Sequence, residues 1–233
     1  MSSHSILHAP APWRLAGRAY ISVLHADEQL RQAEARHLPE PLREQRAEGP
    51  FSYLMYVDYA ASPVGPYHEL LFIPGSYRFP DGRRHLTISR IFVSSQDSVV
   101  NGQHNWGIPK QLARFELSAA QRGVQDIRVS QADHCFARLR YRSWPLPLPL
   151  PGSLTPQSWR RLAQYHSGQT RVYTPAANGL GLPARLLEAD IDAHYFPALS
   201  HSQALCSLKL AHFRMRFPPA EHAVGCDPSS VHA

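Results

Sequence analysis

The chain has 233 residues, 43% of them hydrophobic and 18% charged, with a formal net charge of +6. That composition is ordinary for a soluble globular protein and ample for a buried core. No apolar run is long enough to span a membrane. The arginines are scattered. The densest sets are Arg83-Arg84, Arg160-Arg161 and Arg138/Arg140/Arg142, the last alternating with Leu139 and Tyr141 as the polar face of a half-buried strand. No basic run is interleaved with aromatics, so a nucleic-acid partner is not expected. The three cysteines, Cys135, Cys206 and Cys226, have no metal-ligand spacing, and the histidines show none either. Residues Met1 to Trp13 lack a basic region followed by an apolar one. These features predict a reduced, cytoplasmic protein without a metal.

In chain order, Arg18 to His25 reads as a strand, and Asp27 can cap a helix from Glu28 to about Arg36. His37 to Pro41 breaks that helix, and Arg43 to Pro50 is a polar loop. Phe51 to Ala60 predicts a long strand with Phe51, Tyr53, Met55 and Val57 on one face. Ser62 to Pro66 is a turn set by two prolines and a glycine, and Tyr67 to Ile73 is a second apolar strand carrying one acid, Glu69. Gly75 to Arg84 reads as another turn and His85 to Ser95 as a strand. A short helix is expected over Asp97 to Asn105, with Asp97 near its start and Gly102 near its end.

Further strands are expected at Ala113 to Leu117, Val124 to Ser130 and Cys135 to Arg142. Pro145 to Pro151 alternates Pro and Leu and predicts polyproline II, either a rigid covering loop or a ligand for an aromatic-lined domain. A helical turn at Ser158 to Tyr165 precedes strands at Thr170 to Thr174, Leu186 to His194 and Leu205 to Phe217. Many short strands with little helix predict a β-rich α+β chain. It would be a single domain over residues 1–233, with loose ends at about 1–10 and 218–233, built on a closed or nearly closed antiparallel β-barrel or cone.

Function converges on Trp106-Gly107-Ile108-Pro109-Lys110-Gln111-Leu112. Only Lys110 and Lys209 are lysines among the 24 Lys and Arg residues. Where arginine serves for charge, a retained lysine points to chemistry that arginine cannot perform, since lysine alone can lose its proton and attack a carbonyl. The apolar company of Lys110 predicts a lowered pKa. Pro109 holds the approach stiff.

These residues carry a resemblance. Pro12-Trp13 with Gly17-Arg18-Ala19-Tyr20, then Ser62 to Leu70, then Asn101 to Lys110, resemble the acetoacetate decarboxylase superfamily over roughly the first half of the chain. The resemblance implies a β-barrel or cone without metal or organic cofactor, a tendency to form homo-oligomers, and a lysine that forms an iminium with a small-molecule keto acid. It implies Lys110 as the Schiff-base lysine, Glu69 as the pocket glutamate, and Arg18 as support for that glutamate or for the substrate carboxylate. Trp106, Tyr67 and Gln111 are the expected substrate contacts. The chain departs from the family at Gln111, where the true decarboxylases carry a second lysine, and at Leu54, read as the place of a second acid. The expected function is therefore a Schiff-base lyase of decarboxylase, aldolase or dehydratase type. The alternative is a non-catalytic barrel that binds a hydrophobic small molecule.

Overall fold

The structure is a computed structural model that describes residues 5–25, 27–45, 49, 51–150, 161–199 and 203–223. Strand β1 (Trp13–His25) is its spine. Trp13, Leu15, Ala19 and Ile21 alternate with Tyr20, Ser22 and Leu24, and both sets are buried or half-buried. The strand is thus covered on both faces, which needs apolar residues at nearly every position. Helix α1 (Glu28–Ala35) starts as expected at Asp27, whose carboxylate accepts the Leu30 N–H at 2.7 Å. A one-turn helix, α2 (Glu40–Arg43), follows.

Strands β2 (Phe51–Ala61) and β3 (Tyr67–Ile73) form a hairpin around the expected turn. The segment read as a turn from Gly75 to Arg84 holds its own hairpin, β4 (Ser76–Arg78) and β5 (Arg84–Leu86). Only its tip turns. There the Asp81 carboxylate accepts the Arg83 N–H at 2.9 Å. Strand β6 (Arg90–Val93) leads into helix α3 (Gln96–Trp106). Then come β7 (Gln111–Leu112), β8 (Arg114–Leu117), β9 (Val124–Gln131) and β10 (His134–Ser143).

Leu148–Leu150 is strand β11, paired antiparallel with Gly179 to Gly181, so this part of the Pro-Leu stretch is sheet rather than polyproline helix. Residues 151–160 lie outside the described residues. The expected helical turn ending at Tyr165 is instead strand β12 (Leu162–His166), whose backbone pairs with β13 (Gln169–Tyr173). The chain continues through β14 (Ala176–Ile191), β15 (Ala204–Phe217) and β16 (Glu221–Ala223).

The large sheet runs β7-β6-β3-β2-β1-β15-β14-β10-β9-β8. Its two edge strands are consecutive in the chain, joined through Ala113, so the edges meet and the sheet comes close to closing. Contacts across the interior agree. Tyr20 of β1 stacks on Tyr141 of β10 at 4.4 Å, and Phe92 of β6 meets Phe136 of β10 at 4.6 Å. The barrel is mixed rather than wholly antiparallel, because β7 runs parallel to β6. A second sheet, β16-β13-β12-β5-β4, and helix α3 lie against the other face of β1, β2 and β3 and enclose a second core with Trp13, Val57, Leu71 and Trp106.

Helix α3 begins at Ser95, whose hydroxyl accepts the Ser98 N–H. Asp97 lies near the helix start, as expected, in the first turn. With Asn101 and Asn105, spaced one turn apart, it binds the N-terminal segment. Asp97 accepts the Leu7 N–H at 3.1 Å, Asn101 accepts the Ala9 N–H at 2.8 Å and donates to the Leu7 carbonyl at 2.7 Å, and Asn105 donates to the Ala9 carbonyl at 2.9 Å. Residues 7–10 are thus fastened rather than loose. At the other end, Glu221–Ala223 pairs with β13, and residues 224–233 lie outside the described residues. Replacing Asn101 by Ala should cost about 1–3 kcal/mol of stability in denaturant titration, and should open the segment before Trp13 to limited proteolysis, because buried backbone groups lose their partners.

Candidate active site

Lys110 is placed by the way α3 ends. Gly107 closes the helix in the left-handed region at φ 69°. Its N–H donates to the Gln103 carbonyl at 2.9 Å, while the Ile108 N–H reaches back to the Gly102 carbonyl at 3.3 Å. A side chain at Gly107 would also strike His166 of β12, its Cβ lying 2.6 Å from the His166 Cβ. Next comes a three-residue turn centred on Pro109, with the Lys110 N–H on the Ile108 carbonyl at 2.8 Å. Gln103 then donates to the Lys110 carbonyl at 3.0 Å. The chain has doubled back, and the lysine side chain runs over the helix it has just left.

Gly102 makes that path possible. A Cβ there would lie 2.7 Å from Lys110 Cδ and 2.9 Å from Cε. Ser98, one turn earlier on the same face, accepts a hydrogen bond from Lys110 Nζ at 3.0 Å. Opposite, Glu69 of β3 accepts from Nζ at 2.9 Å through Oε2. Its Oε1 accepts a long hydrogen bond from the Tyr59 hydroxyl at 3.4 Å. The Tyr67 ring lies 5.2 Å from Nζ. Lys110 is 5% exposed and Glu69 4%, so this ion pair is shielded from water and counter-ions.

The apolar surroundings do not lower the Lys110 pKa as expected. Burial is the largest single influence and pushes it down, but the Glu69 carboxylate and Tyr67 together outweigh it, so the pKa lies above the usual lysine value. Lys110 therefore rests as an ammonium. Burial pushes Tyr67 up to about 12 and Tyr59 well above its usual value, so both remain phenols and can donate hydrogen bonds at neutral pH.

The pair faces a cavity of about 320 Å³ whose other walls are almost wholly apolar. Trp106 and Tyr67 line it, as expected. Trp106 meets Trp13 edge to face at 5.1 Å, and its indole N–H donates to the Pro218 carbonyl at 2.7 Å. Two expected residues are elsewhere. Arg18 pairs in register with Asp58, which pairs with His68. The next rung, Ala19, Val57 and Glu69, points to the opposite face. Arg18 accordingly binds Asp58 at 2.7 Å on an exposed surface and does not reach Glu69 or the cavity. Gln111 is exposed and pairs with Phe92 through its backbone. Leu54 faces the barrel interior. The cavity side of β2 carries Tyr53, Met55, Val57 and Tyr59, so position 54, where a second acid was expected, does not face the cavity.

Ser98, Gly102 and Tyr59 were not anticipated. A glycine within a short helix was the available signal for Gly102, since it weakens the helix unless something must pass close by. Among the described residues, no group of three or more His, Cys, Asp or Glu is placed to hold a metal ion. No described helix is long and apolar enough to cross a membrane.

Fold and site together describe a nearly closed barrel with a buried lysine set against an apolar cavity. The family model Acetoacetate decarboxylase (ADC) matches residues 14–180, and the chain belongs to that family. No curated protein sequence matches it. Among solved structures it is similar to an acetoacetate decarboxylase from Legionella pneumophila subsp. pneumophila str. Philadelphia 1, at 14% identity and a TM-score of 0.64, over 97% of this chain and 93% of that one. It is also similar to an acetoacetate decarboxylase-like enzyme from Sphingomonas wittichii RW1, at 11% identity and a TM-score of 0.60, over 92% and 93%. A third is the enduracididine biosynthesis enzyme MppR complexed with pyruvate, at 14% identity and a TM-score of 0.58, over 95% and 94%. Likeness at these identities establishes the shared fold.

Removing one member of a buried ion pair strands the other. Lys110→Met should therefore cost about 3–5 kcal/mol in equilibrium unfolding, and Lys110→Met combined with Glu69→Met should recover most of the loss.

Proposed function

We propose that the protein is a carbon–carbon lyase that forms an iminium between Lys110 and the carbonyl of a 3-oxo acid and releases carbon dioxide. The observation that carries this reading is the buried Lys110 Nζ, hydrogen-bonded to Glu69 at 2.9 Å beside an apolar cavity. Membership of the family supports lyase-type activity.

The resting ammonium cannot attack, so its proton passes first to Glu69 Oε2. The free amine adds to the substrate carbonyl, and one of its protons moves to the former carbonyl oxygen. Glu69 returns its proton to that hydroxyl, water leaves, and a positively charged iminium remains. A carboxylate β to that carbon then loses carbon dioxide, with the bonding pair moving into the iminium to give a neutral enamine. Glu69, reprotonated from solvent, supplies a proton to the enamine carbon. Hydrolysis releases the ketone and restores Lys110. Decarboxylation needs one nucleophile and one proton shuttle, and Lys110 and Glu69 provide both. Ser98 and Tyr67 position the amine, and Tyr59 orients the carboxyl group.

The raised Lys110 pKa favours a second reading, a binding barrel in which the lysine remains an ammonium. Borohydride reduction separates the two. The protein is incubated with acetoacetate, pyruvate and longer keto acids, reduced, and its peptides are mapped by mass spectrometry. A reduced adduct on Lys110, absent in Lys110→Arg, is expected. A folded protein that yields no adduct with any acid would favour the binding barrel.

Glu69→Gln provides a test of proton control. Loss of the carboxylate removes the main influence holding the Lys110 pKa up and leaves burial pulling it down. The pH at which the amine becomes available for acylation or imine trapping should therefore move lower in Glu69→Gln. An unchanged or higher onset would contradict the role given to Glu69.

A further inference from the structure

The cavity is larger and less polar than a four-carbon keto acid requires. Among the described residues that line it, Lys110 and Glu69 are the only ones with charged side chains, and they already neutralise each other. At about 30 Å³ per water-sized group, 320 Å³ accommodates on the order of ten non-hydrogen atoms. Acetoacetate has seven, four of them carbon.

The strand register gives the apolar space a direction. On β3, Glu69, Leu71 and Ile73 point to the cavity side. Leu71 is flanked in register by Met55 and Ile91, and Ile73 by Tyr53. Ile73 is four residues from Glu69, which at about 3.3 Å per residue is about 13 Å along the strand. All five of these side chains beyond Glu69 line the cavity. From the lysine outward, a ligand therefore meets one polar end and then a wall of hydrocarbon with a tyrosine at its far end.

We propose that the cavity selects a 3-oxo acid bearing an apolar chain, with its carbonyl at Lys110 and the chain laid along β3 from Glu69 towards Ile73. The inference rests on the reading of Lys110 as the imine-forming residue for the head group. For the tail it rests on the cavity walls alone. Met55, Leu71, Ile73 and Ile91 are the specificity-determining residues. A shorter, more polar keto acid leaves this surface without a partner.

Two readouts test head and tail separately. Methyl ketones from 2-butanone to 2-undecanone are titrated against the fluorescence of Trp13 and Trp106, which line the cavity. This measures chain binding whether or not an imine forms. Affinity should rise about fourfold per methylene, the equivalent of about 0.8 kcal/mol, until the chain reaches Ile73. In parallel, freshly prepared 3-oxooctanoate and acetoacetate compete for borohydride trapping, and 3-oxooctanoate should dominate the Lys110 adduct.

Ile73→Trp should shorten the cavity and lower the preference for the long chain over the short one. Met55→Gln, close in volume but polar, makes the same test should Ile73→Trp fail to fold. Affinity that stays flat along the ketone series, with both acids trapped equally, would overturn the proposed chain while leaving the lysine reading intact. Affinity that rises with chain length without any adduct would retain the apolar selection and overturn the lysine reading.

Discussion

A lysine and a glutamate held out of water in direct contact constrain everything around them. Either charge alone in such a place would cost several kcal/mol, and even the pair is compensated only when geometry and further hydrogen bonds are good. The structure supplies both. Ser98 and Tyr67 sit against the ammonium, Tyr59 donates to the far carboxylate oxygen, and the backbone of Lys110 is held by Ile108 and Gln103. Helix α3 has two working faces. One fastens the N-terminal segment through Asp97, Asn101 and Asn105, and the other gives way at Gly102 so that the lysine can cross. Arg171 of β13 completes the support by donating to the His104 carbonyl at 2.8 Å, where a helix end favours a cation.

Gln111 and Leu54, where the family resemblance implies a second lysine and a second acid, both lie off the cavity, Leu54 in the barrel interior. Gln111 is turned to solvent, so it neither replaces a second cation near the amine nor touches the cavity. Glu69 then acts alone on the lysine among the charged residues lining the cavity, and it acts to stabilise the ammonium. Under the proposed reaction, freeing the amine depends on moving one proton between two buried atoms, rather than on repulsion from a neighbouring charge.

Much of the barrel was legible because period-two patterning and turn chemistry are local. The Asp27 cap, the Ser62–Gly65 turn and the cavity-facing row of Tyr53, Met55 and Val57 all follow from residues within a few positions of one another. Lys110 stood out through its rarity, whereas Glu69 was singled out by the family resemblance and not by its strand alone. Arg18 was misplaced because alternation separates it from Ala19 without revealing which face meets the cavity. Nothing local indicates that both faces of β1 are covered. Ser98 and Gly102 were hidden for a related reason. Their spacing places them on one helix face, but the reversal at Gly107 and Pro109 is what brings a residue twelve positions after Ser98 back onto it. The strand at Leu162–His166 is set by its partner β13, a tertiary circumstance that overrides local propensity.

The segment just after the lysine does a second job. Leu112, Ala113 and Arg114 carry the chain from one edge of the large sheet to the other, and the Ala113 N–H is bonded to the Val93 carbonyl at 2.9 Å. The residue that defines the site is thus two positions from the seam of the barrel. Parting the seam would pull on Lys110, and withdrawing Lys110 would loosen the seam, so the two belong to one cooperative unit. In evolutionary terms, an insertion between Lys110 and Arg114 would disturb two things at once, the closure of the sheet and the placing of the buried lysine. Drift in loop length is better accommodated at the β4–β5 tip, where neither is at stake.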